Sequence, residues 1–199
     1  MDTKSDIRVE LATRELRPLV DDVRRAVFVK EYGIPAQDDF DGNDDVAAHI
    51  LAYKEENNQK FPVGTMRIRF FGGFVKFERM AVLPEFRKTN LANRIMQYGF
   101  DYVSKKGYRQ VYGLCKKELL PRWQKCGYQE VKNAKEIQQN GMTLIPIIRY
   151  LPENSNALSL ESDPTLLISL EGSWDNLSSN KQKTSQGLIP SSSKNLSRE

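Results

Sequence analysis

The hydrophobic pattern changes its period near the middle of the chain, at Pro84, and this change limits the folds that are open to it. Upstream, several segments alternate apolar and polar residues, which is typical of strands in a sheet. Downstream, Leu91, Ile95 and Phe100 begin an apolar face at helical spacing, and residues 108–115 return to a strand pattern. A strand, a helix and a second strand in this order form a crossover, which usually joins parallel strands. The pattern therefore predicts a mixed α/β domain.

The other segments extend this prediction to ten elements in the order β-α-β-β-β-α-β-α-β-β. Turn signals separate them, including a hairpin at Gly72-Gly73 and a glycine stop at Gly107. The consecutive strands that flank hairpins are expected to pair antiparallel. Strands are predicted at 7–11, 46–53, 62–71, 74–83, 108–115, 128–131 and 143–150, and helices at 18–32, 91–106 and 119–125.

The composition divides the chain into a body at residues 1–151 and a tail at residues 152–199. The tail is rich in Ser and Asn and has few apolar residues, so burial cannot offset its ordering entropy. We expect it to be mostly disordered. One apolar run at 166–170 either docks on the body or a partner, or forms a transient cluster within a flexible tail.

Several classes of protein are disfavoured by composition. No apolar run approaches the ~20 residues that span a bilayer, and the first ten residues lack a secretory signal. Cys115 and Cys126 form neither a disulfide framework nor a metal motif, so we expect a cytoplasmic protein without a metal. The net charge of +4 suits an anionic ligand, but the bases are dispersed and no nucleic-acid-binding motif is present. We therefore expect neither a membrane nor a nucleic acid as partner.

A strand that leads through a basic loop into a helix is the most informative segment, at residues 78–93. The first turn of a helix carries unpaired N–H groups and a partial positive charge, which together can bind a phosphate. Arg87 and Lys88 add positive charge at the same place. The segment is therefore a candidate pyrophosphate site. The alternative is that these bases are only solvated charges on an ordinary strand-to-helix turn.

This segment resembles motif A of the GNAT acetyltransferase superfamily. Residues 79–87 (RMAVLPEFR) match the motif's strand, and residues 87–92 match its phosphate loop. Residues 122–128 (RWQKCGY) and 28–53 are similar to a downstream and an upstream element of the family. The resemblance covers about residues 7–151. It implies a single GNAT-like domain, with a mostly antiparallel sheet, a splayed parallel pair and flanking helices.

The resemblance also implies the function and the binding residues. It implies an N-acetyltransferase that uses acetyl-CoA, or another acyl-CoA, and acts on a small-molecule or protein amine; we also allow for a homodimer. Asn90 stands where the family usually has glycine, so we expect weakened binding, with Asn90 adopting the left-handed conformation. The implied cofactor-binding residues are Met80, Ala81 and Val82 for the pantetheine, Arg87, Lys88, Thr89, Asn90, Leu91, Ala92 and Asn93 for the pyrophosphate, and Trp123 beside them.

The implied catalytic residues are less regular. Trp123 stands where many relatives carry a tyrosine acid, and an indole N–H has no useful acidity. Tyr128 is then the candidate acid, with core packing as its alternative role. Cys126 is likewise either an acid or a core residue. Glu78 is the candidate base, or else a surface partner of a neighbouring cation. His49, the only histidine, is either a hydrogen-bonded sheet residue or a base.

Two further points stay open. The acidic loop at residues 38–45 either recognises a cationic acceptor or is simply solvated. The function has two alternatives to acetyl transfer. One is transfer of a longer acyl chain from acyl-CoA or an acyl carrier, as in the related acyl-homoserine-lactone synthases. The other is a non-catalytic acyl-CoA sensor, which Trp123 and Lys116 favour because they replace residues that the family often uses.

Overall fold

A computed structural model of the chain describes residues 7–139 and 141–174. Contacts divide the chain into two units, one up to Ser159 and one from Leu160. Among the described residues, no helix is both long enough and apolar enough to cross a bilayer. Within the same part of the chain, no group of three or more His, Cys, Asp or Glu residues is arranged to hold a metal ion.

The first unit is built on one mixed sheet, as the alternating segments predict. Its strand order is β1-β2-β3-β4-β5-β8-β6, with β7 paired to β8. All pairs are antiparallel except β4 with β5, which confirms the predicted parallel crossover. The strands are β1 Ile7–Leu11, β2 Ala48–Glu56, β3 Gln59–Phe71, β4 Phe74–Val82, β5 Gln110–Lys116, β6 Gln129–Glu130, β7 Ile137–Gln139 and β8 Met142–Tyr150. Strand β7 is not predicted from the sequence, because three residues with one apolar member show no alternation.

Helices cover both faces of this sheet. Helix α1 (Arg17–Arg24) continues as a π-helical segment (Arg25–Glu31). Their buried side chains Val20, Val23 and Val27 pack on one face of the sheet. Helix α2 (Ala36–Asp39) follows within the acidic loop. Helix α3 (Leu91–Lys105) covers the other face, and α4 (Leu120–Lys125) follows β5.

Helix α3 lies very close to the sheet at Gly99. A Cβ atom there would lie 2.6 Å from Met66 Cε and 3.0 Å from the ring of Phe77. The Phe77 ring also stacks on Phe100 of α3, with 5.3 Å between ring centroids. The contacts of β3 and β4 with α3 therefore fix which face of the sheet α3 covers.

The boundary between the two units lies a few residues beyond the predicted end of the body. Leu158 N–H donates to the Lys105 carbonyl at 2.8 Å, and Asn154 donates to Ser104 Oγ at 3.2 Å. In the second unit, α5 (Pro164–Leu167) is capped by the Asp163 carboxylate, and Ile168 is 85% exposed. The predicted disorder of the tail stays a prediction, and residues 175–199 lie outside the described residues.

Candidate active site

A gap opens in the sheet between the two parallel strands. Strands β4 and β5 pair at two positions only, Val75 with Val111 and Lys76 with Tyr112. Beyond Lys76, β4 continues along β3, while β5 continues along β8 to Lys116. The two strands therefore diverge, and a cavity of about 310 Å³ is present there.

The cavity passes from one face of the sheet to the other. Met66 and Phe77 line it and contact Gly99, so its apolar end lies on the α3 face. Lys76 and Glu78 also line it, and they alternate with Phe77 along β4, so they point to the opposite face. That opposite end carries the charged lining residues, and Phe28 of the π-helical segment also lines it. The charged residues are Asp38, Asp39, Asp41, Arg69, Lys76, Glu78 and Arg79. One end of the cavity thus suits an apolar group and the other a polar one.

Strand β4 carries a bulge at the edge of this gap. Arg67 pairs with Glu78 and Thr65 pairs with Ala81, so Met66 alone faces both Arg79 and Met80. Arg79 has a φ of +51°, in the left-handed region that few non-glycine residues adopt.

The structure separates the three residues that were predicted to hold the pantetheine. Met80 lines the cavity, whereas Ala81 is buried in the core. The Val82 carbonyl already accepts a hydrogen bond from Arg87 Nε at 2.9 Å. Of the three residues, Met80 alone lines the cavity.

The loop before α3 leaves the start of that helix open. Lys88, Thr89 and Asn90 are exposed, and Asn90 is the N-cap residue without a side-chain capping bond. Thr89 Oγ1 donates to the Phe86 carbonyl at 2.7 Å and accepts from Leu91 N–H at 3.2 Å, which fixes the turn. The N–H groups of a first helical turn lack acceptors within the helix, so this turn fits an anionic phosphate.

The conformation of Asn90 corrects one prediction. Asn90 has φ −82° and ψ 9°, and it is Lys88 that adopts the left-handed conformation, with φ +61°. The turn therefore places its strained residue two positions before the N-cap, and Asn90 does not need the freedom of glycine. Instead, Asn90 Oδ1 accepts a hydrogen bond from Asn93 Nδ2 at 2.8 Å. The loss of glycine at this position does not by itself distort the loop.

Arg87 has partners of its own. Its Nη1 donates to Glu31 Oε1 at 2.7 Å, and this ion pair holds the pKa of Glu31 below its ordinary value. Arg87 thus ties the phosphate loop to the π-helical segment. Its side-chain contact with a pyrophosphate stays a prediction, and Lys88 is the exposed cation of the loop.

Glu78, the candidate base, lies among cations instead of in an apolar cleft. Arg67 Nη2 lies 2.8 Å from its Oε1, and Lys76 Nζ lies 2.6 Å from its Oε2. The alternative that Glu78 is a partner of Lys76 therefore agrees with the geometry, although the side chain is 9% exposed and not on the surface. The carboxylate lines the cavity, but its charge is already balanced.

Three of the five aspartates in the acidic loop are already paired with buried arginines. The Asp39 carboxylate lies 3.0 Å from Nε of the fully buried Arg24, and Asp44 lies 2.6 Å from Nη1 of the same guanidinium. Asp41 and Asp44 both bind Arg67, at 2.7 Å and 2.9 Å. Buried guanidinium groups need such partners because an unpaired charge is costly away from water.

The sequence contains a signal for one of these two arginines that the prediction missed. Arg67 gives none, because it alternates with the apolar residues of β3 and shares its face with Thr65 and Arg69. Arg24, in contrast, lies among the buried apolar residues of α1. A charged residue within an apolar face predicts a buried partner of opposite sign. The only nearby acid-rich segment is the loop at residues 38–45.

The two aromatic candidates occupy different positions. Trp123 lines the cavity, and its ring meets Tyr128 edge-on, with 5.4 Å between centroids. Tyr128 is 3% exposed, packs near Phe100, and is not among the residues that line the cavity. Burial raises the pKa of Tyr128 above its ordinary value, which makes it a weaker acid. The geometry therefore favours the packing role of Tyr128.

The remaining candidates lie away from the cavity. His49 is 3% exposed, and its Nε2 lies 3.2 Å from the Asp44 carbonyl. Burial lowers its pKa to about 4, so His49 is neutral at physiological pH. These contacts fit a sheet residue. Cys126 lies 4.0 Å from Asn93 Oδ1, and Lys116 Nζ lies 5.9 Å from the ring centroid of Tyr32.

Comparison with known proteins identifies relatives of the chain. A profile of the Acetyltransferase (GNAT) family matches residues 16–128. A Bacillus subtilis (strain 168) protein that is provisionally named an acetyltransferase is 31% identical over 140 residues, which cover 69% of this chain and 89% of that protein.

Solved structures share the fold. A protein from Lactobacillus plantarum, provisionally named an N-acetyltransferase, has a TM-score of 0.67 at 18% identity, covering 74% of this chain and 100% of that one. A GNAT family acetyltransferase from Elizabethkingia anophelis, solved with acetyl-CoA bound, has a TM-score of 0.55 at 17% identity, with the same coverage. These matches confirm the predicted GNAT-like domain.

Proposed function

Because this chain belongs to the acetyltransferase (GNAT) family, we propose that it transfers an acetyl group from acetyl-CoA to an amine that enters from the charged face of the sheet. The observation that carries the proposal is the gap between β4 and β5, which joins an apolar end at Met66 and Phe77 to a charged end at Glu78. A thioester and an amine can approach each other through this gap from opposite faces.

Acetyl-CoA would supply an activated acetyl thioester. The exposed first turn of α3, with Lys88 beside it, would hold the diphosphate. Met80, within the bulge of β4, would place backbone groups beside the thioester. The reaction forms an N–C bond, breaks the C–S bond and moves one proton from nitrogen to sulfur.

Placement of the two reactants supplies much of the rate in this proposal. Glu78 is balanced by Arg67 and Lys76, and Tyr128 is buried outside the cavity lining. We propose that proton transfer uses water in the open cavity, with Glu78 and its cations orienting the polar end. Glu78 as base and Tyr128 as acid stay predictions that mutation can test.

Asp38 is the lining residue that we propose for binding of the acceptor. Among the described residues, it is the cavity-lining carboxylate that makes no side-chain hydrogen bond or ion pair, whereas Asp39, Asp41 and Glu78 all have cationic partners. An ammonium or amine group can pair with this exposed carboxylate. This narrows the role predicted for the acidic loop to one residue.

The test is thiol release from acetyl-CoA with a panel of amines that includes polyamines, amino acids and a peptide N-terminus. We expect release with at least one amine, and we expect Asp38→Asn to raise KM for that amine more than KM for acetyl-CoA. Asp45→Asn is the matched control, because Asp45 is exposed in the same loop and does not line the cavity. No release with any amine would contradict the proposal.

A non-catalytic acyl-CoA-binding module is the second candidate. Trp123 at the cavity, in place of a tyrosine, and the balanced charge of Glu78 favour it. Binding of CoA without turnover would support it over the enzyme. Transfer of a longer acyl chain would show as release from decanoyl-CoA only; the similarity to acyl-homoserine-lactone synthases is not confirmed by the comparisons. A cytoplasmic location and a homodimer stay predictions.

A further inference from the structure

We propose that the acidic loop holds the β4 bulge in place and thereby keeps the gap between β4 and β5 open. Arg79 is the positioning residue in this arrangement, and it acts through the backbone of Met80. The proposal rests on the proposed function, because the gap matters only if it receives a thioester. It assigns a role to an acid-rich segment that neither metal binding nor solvation explains.

The loop contacts Arg79 at several points. Arg79 Nη2 donates to the Asp38 carbonyl at 2.8 Å and lies 3.3 Å from Asp41 Oδ2. Arg79 Nε lies 2.8 Å from Asp39 Oδ1. We call these contacts the bulge clamp. They join a guanidinium at the edge of the gap to a segment about 40 residues earlier in the sequence.

The clamp acts on a residue that needs it. Arg79 adopts a left-handed conformation with φ +51°, which is unfavourable for a residue with a Cβ atom. Such conformations persist where the surroundings hold them. The contacts of the clamp offset the energetic cost of the positive φ of Arg79.

The loop side of the clamp is itself fixed to the core. Asp39 lies 3.0 Å from Nε of Arg24, and Asp41 lies 2.7 Å from Nη1 of Arg67. Arg67 also binds Glu78, the residue immediately before Arg79, at 2.8 Å. Arg67 therefore holds β4 directly at Glu78, and both buried arginines hold the loop carboxylates that contact Arg79.

The position of the bulge explains why the clamp affects the gap. The pairing of β4 with β5 stops at Lys76, and the bulge follows at Arg79 and Met80. A bulge bends its strand and increases the local twist, which turns β4 away from β5. A regular β4 would be free to continue pairing toward Cys115. The clamp thus sets the width of the gap that Met80 lines.

Replacement of Arg79 by Gly and by Ala tests the clamp. Glycine adopts a positive φ without steric cost, whereas alanine does not, so Arg79→Gly removes the side-chain contacts while the bulge conformation stays accessible. We expect Arg79→Gly to weaken CoA binding at least tenfold by calorimetry and to lower kcat with acetyl-CoA. We expect Arg79→Ala to bind CoA more weakly than Arg79→Gly does. Arg79→Lys should bind CoA more tightly than either variant, but less tightly than the wild type.

A second variant leaves β4 untouched. Asp41→Asn removes the ionic link between Arg67 and Arg79, and we expect it to weaken CoA binding several-fold with a fall in kcat. Asp45→Asn in the same loop should bind as the wild type does. Circular dichroism and thermal melting of each variant would establish that the measurements are made on folded protein.

The outcomes separate the two proposals. If the wild type binds CoA, and Arg79→Gly and Asp41→Asn bind it within twofold of the wild type, the clamp is wrong and the proposed function is unaffected. If the wild type does not bind CoA, the proposed function fails and the clamp proposal fails with it. If Asp45→Asn weakens binding as much as Asp41→Asn, the effect belongs to loop charge and the clamp is again wrong.

Discussion

Replacement of Arg67 by Met would remove the cation at the centre of the buried charge network. The Arg67 side chain is fully buried and lies within 3 Å of Asp41, Asp44 and Glu78. Methionine is also long and unbranched, so the main change is the loss of charge and hydrogen bonds. Three carboxylates would then face one another without the guanidinium between them.

The expected magnitude follows from the partners that remain. Breaking a buried ion pair by removing one member typically costs about 3–5 kcal/mol. Here Asp44 keeps Arg24 at 2.6 Å, Glu78 keeps Lys76 at 2.6 Å, and Asp41 keeps Arg79 at 3.3 Å. We therefore expect the lower end, a loss of about 3 kcal/mol in the free energy of unfolding at neutral pH.

The assay is urea unfolding followed by circular dichroism. With a urea dependence of about 2 kcal/mol per molar, a 3 kcal/mol loss lowers the midpoint by about 1.5 M. Arg69→Met is the matched control, because Arg69 lies on the same strand and face, is 27% exposed and approaches Glu78 only to 4.0 Å. That variant should lose less than about 1 kcal/mol.

The difference between wild type and Arg67→Met should depend on pH. The hydrogen bond from Arg67 holds the pKa of Asp41 well below its ordinary range. A group with a lowered native pKa stabilises the fold above its unfolded pKa, about 4 for Asp, and this contribution is lost as pH falls below it. The difference should therefore be largest near neutrality and shrink below about pH 4. Equal midpoints for the Arg67 and Arg69 variants at neutral pH would refute this reasoning.

Two further predictions concern the phosphate loop and the buried histidine. Lys88→Asn should weaken CoA binding about fivefold, since an exposed charge contributes up to ~1 kcal/mol and asparagine tolerates the left-handed conformation. Arg87→Ala should weaken CoA binding less, because Arg87 is paired with Glu31 at 2.7 Å. Calorimetry on both variants checks the order, and a larger effect at Arg87 would contradict it. Burial lowers the pKa of His49 from 6.5 to about 4, so the neutral form stabilises the fold above pH 6.5 and this contribution is lost as pH falls toward 4. The wild type should lose up to about 3 kcal/mol in that interval. Urea midpoints of His49→Gln should vary less with pH over the same interval, and an unchanged profile would show that His49 does not titrate in this way.

The sequence predicts the architecture because its signals are local. Alternation identifies the long strands, and the change of period at Pro84 identifies α3 and the parallel crossover. Residues 79–92 show where a helix start follows a strand, which is enough to propose a phosphate site. Each of these inferences depends on residues within about one element of each other.

The tertiary structure decides what the charged and aromatic side chains do. Arg24 meets Asp39 across 15 residues, Arg67 meets Asp41 across 26, and Arg79 meets the Asp38 carbonyl across 41. No local period encodes these pairings, because they depend on which groups the folded sheet buries together.

The same division applies to the candidate site. The sequence places Trp123 and Tyr128 five residues apart without showing that one lines the cavity and the other is buried. Residue preference alone also assigns the left-handed conformation to Asn90, whereas Lys88 adopts it in a turn that carries local hydrogen bonds of Thr89 with Phe86 and Leu91. Local pattern determines the elements of this protein, whereas burial and long-range charge pairing determine the roles of its side chains.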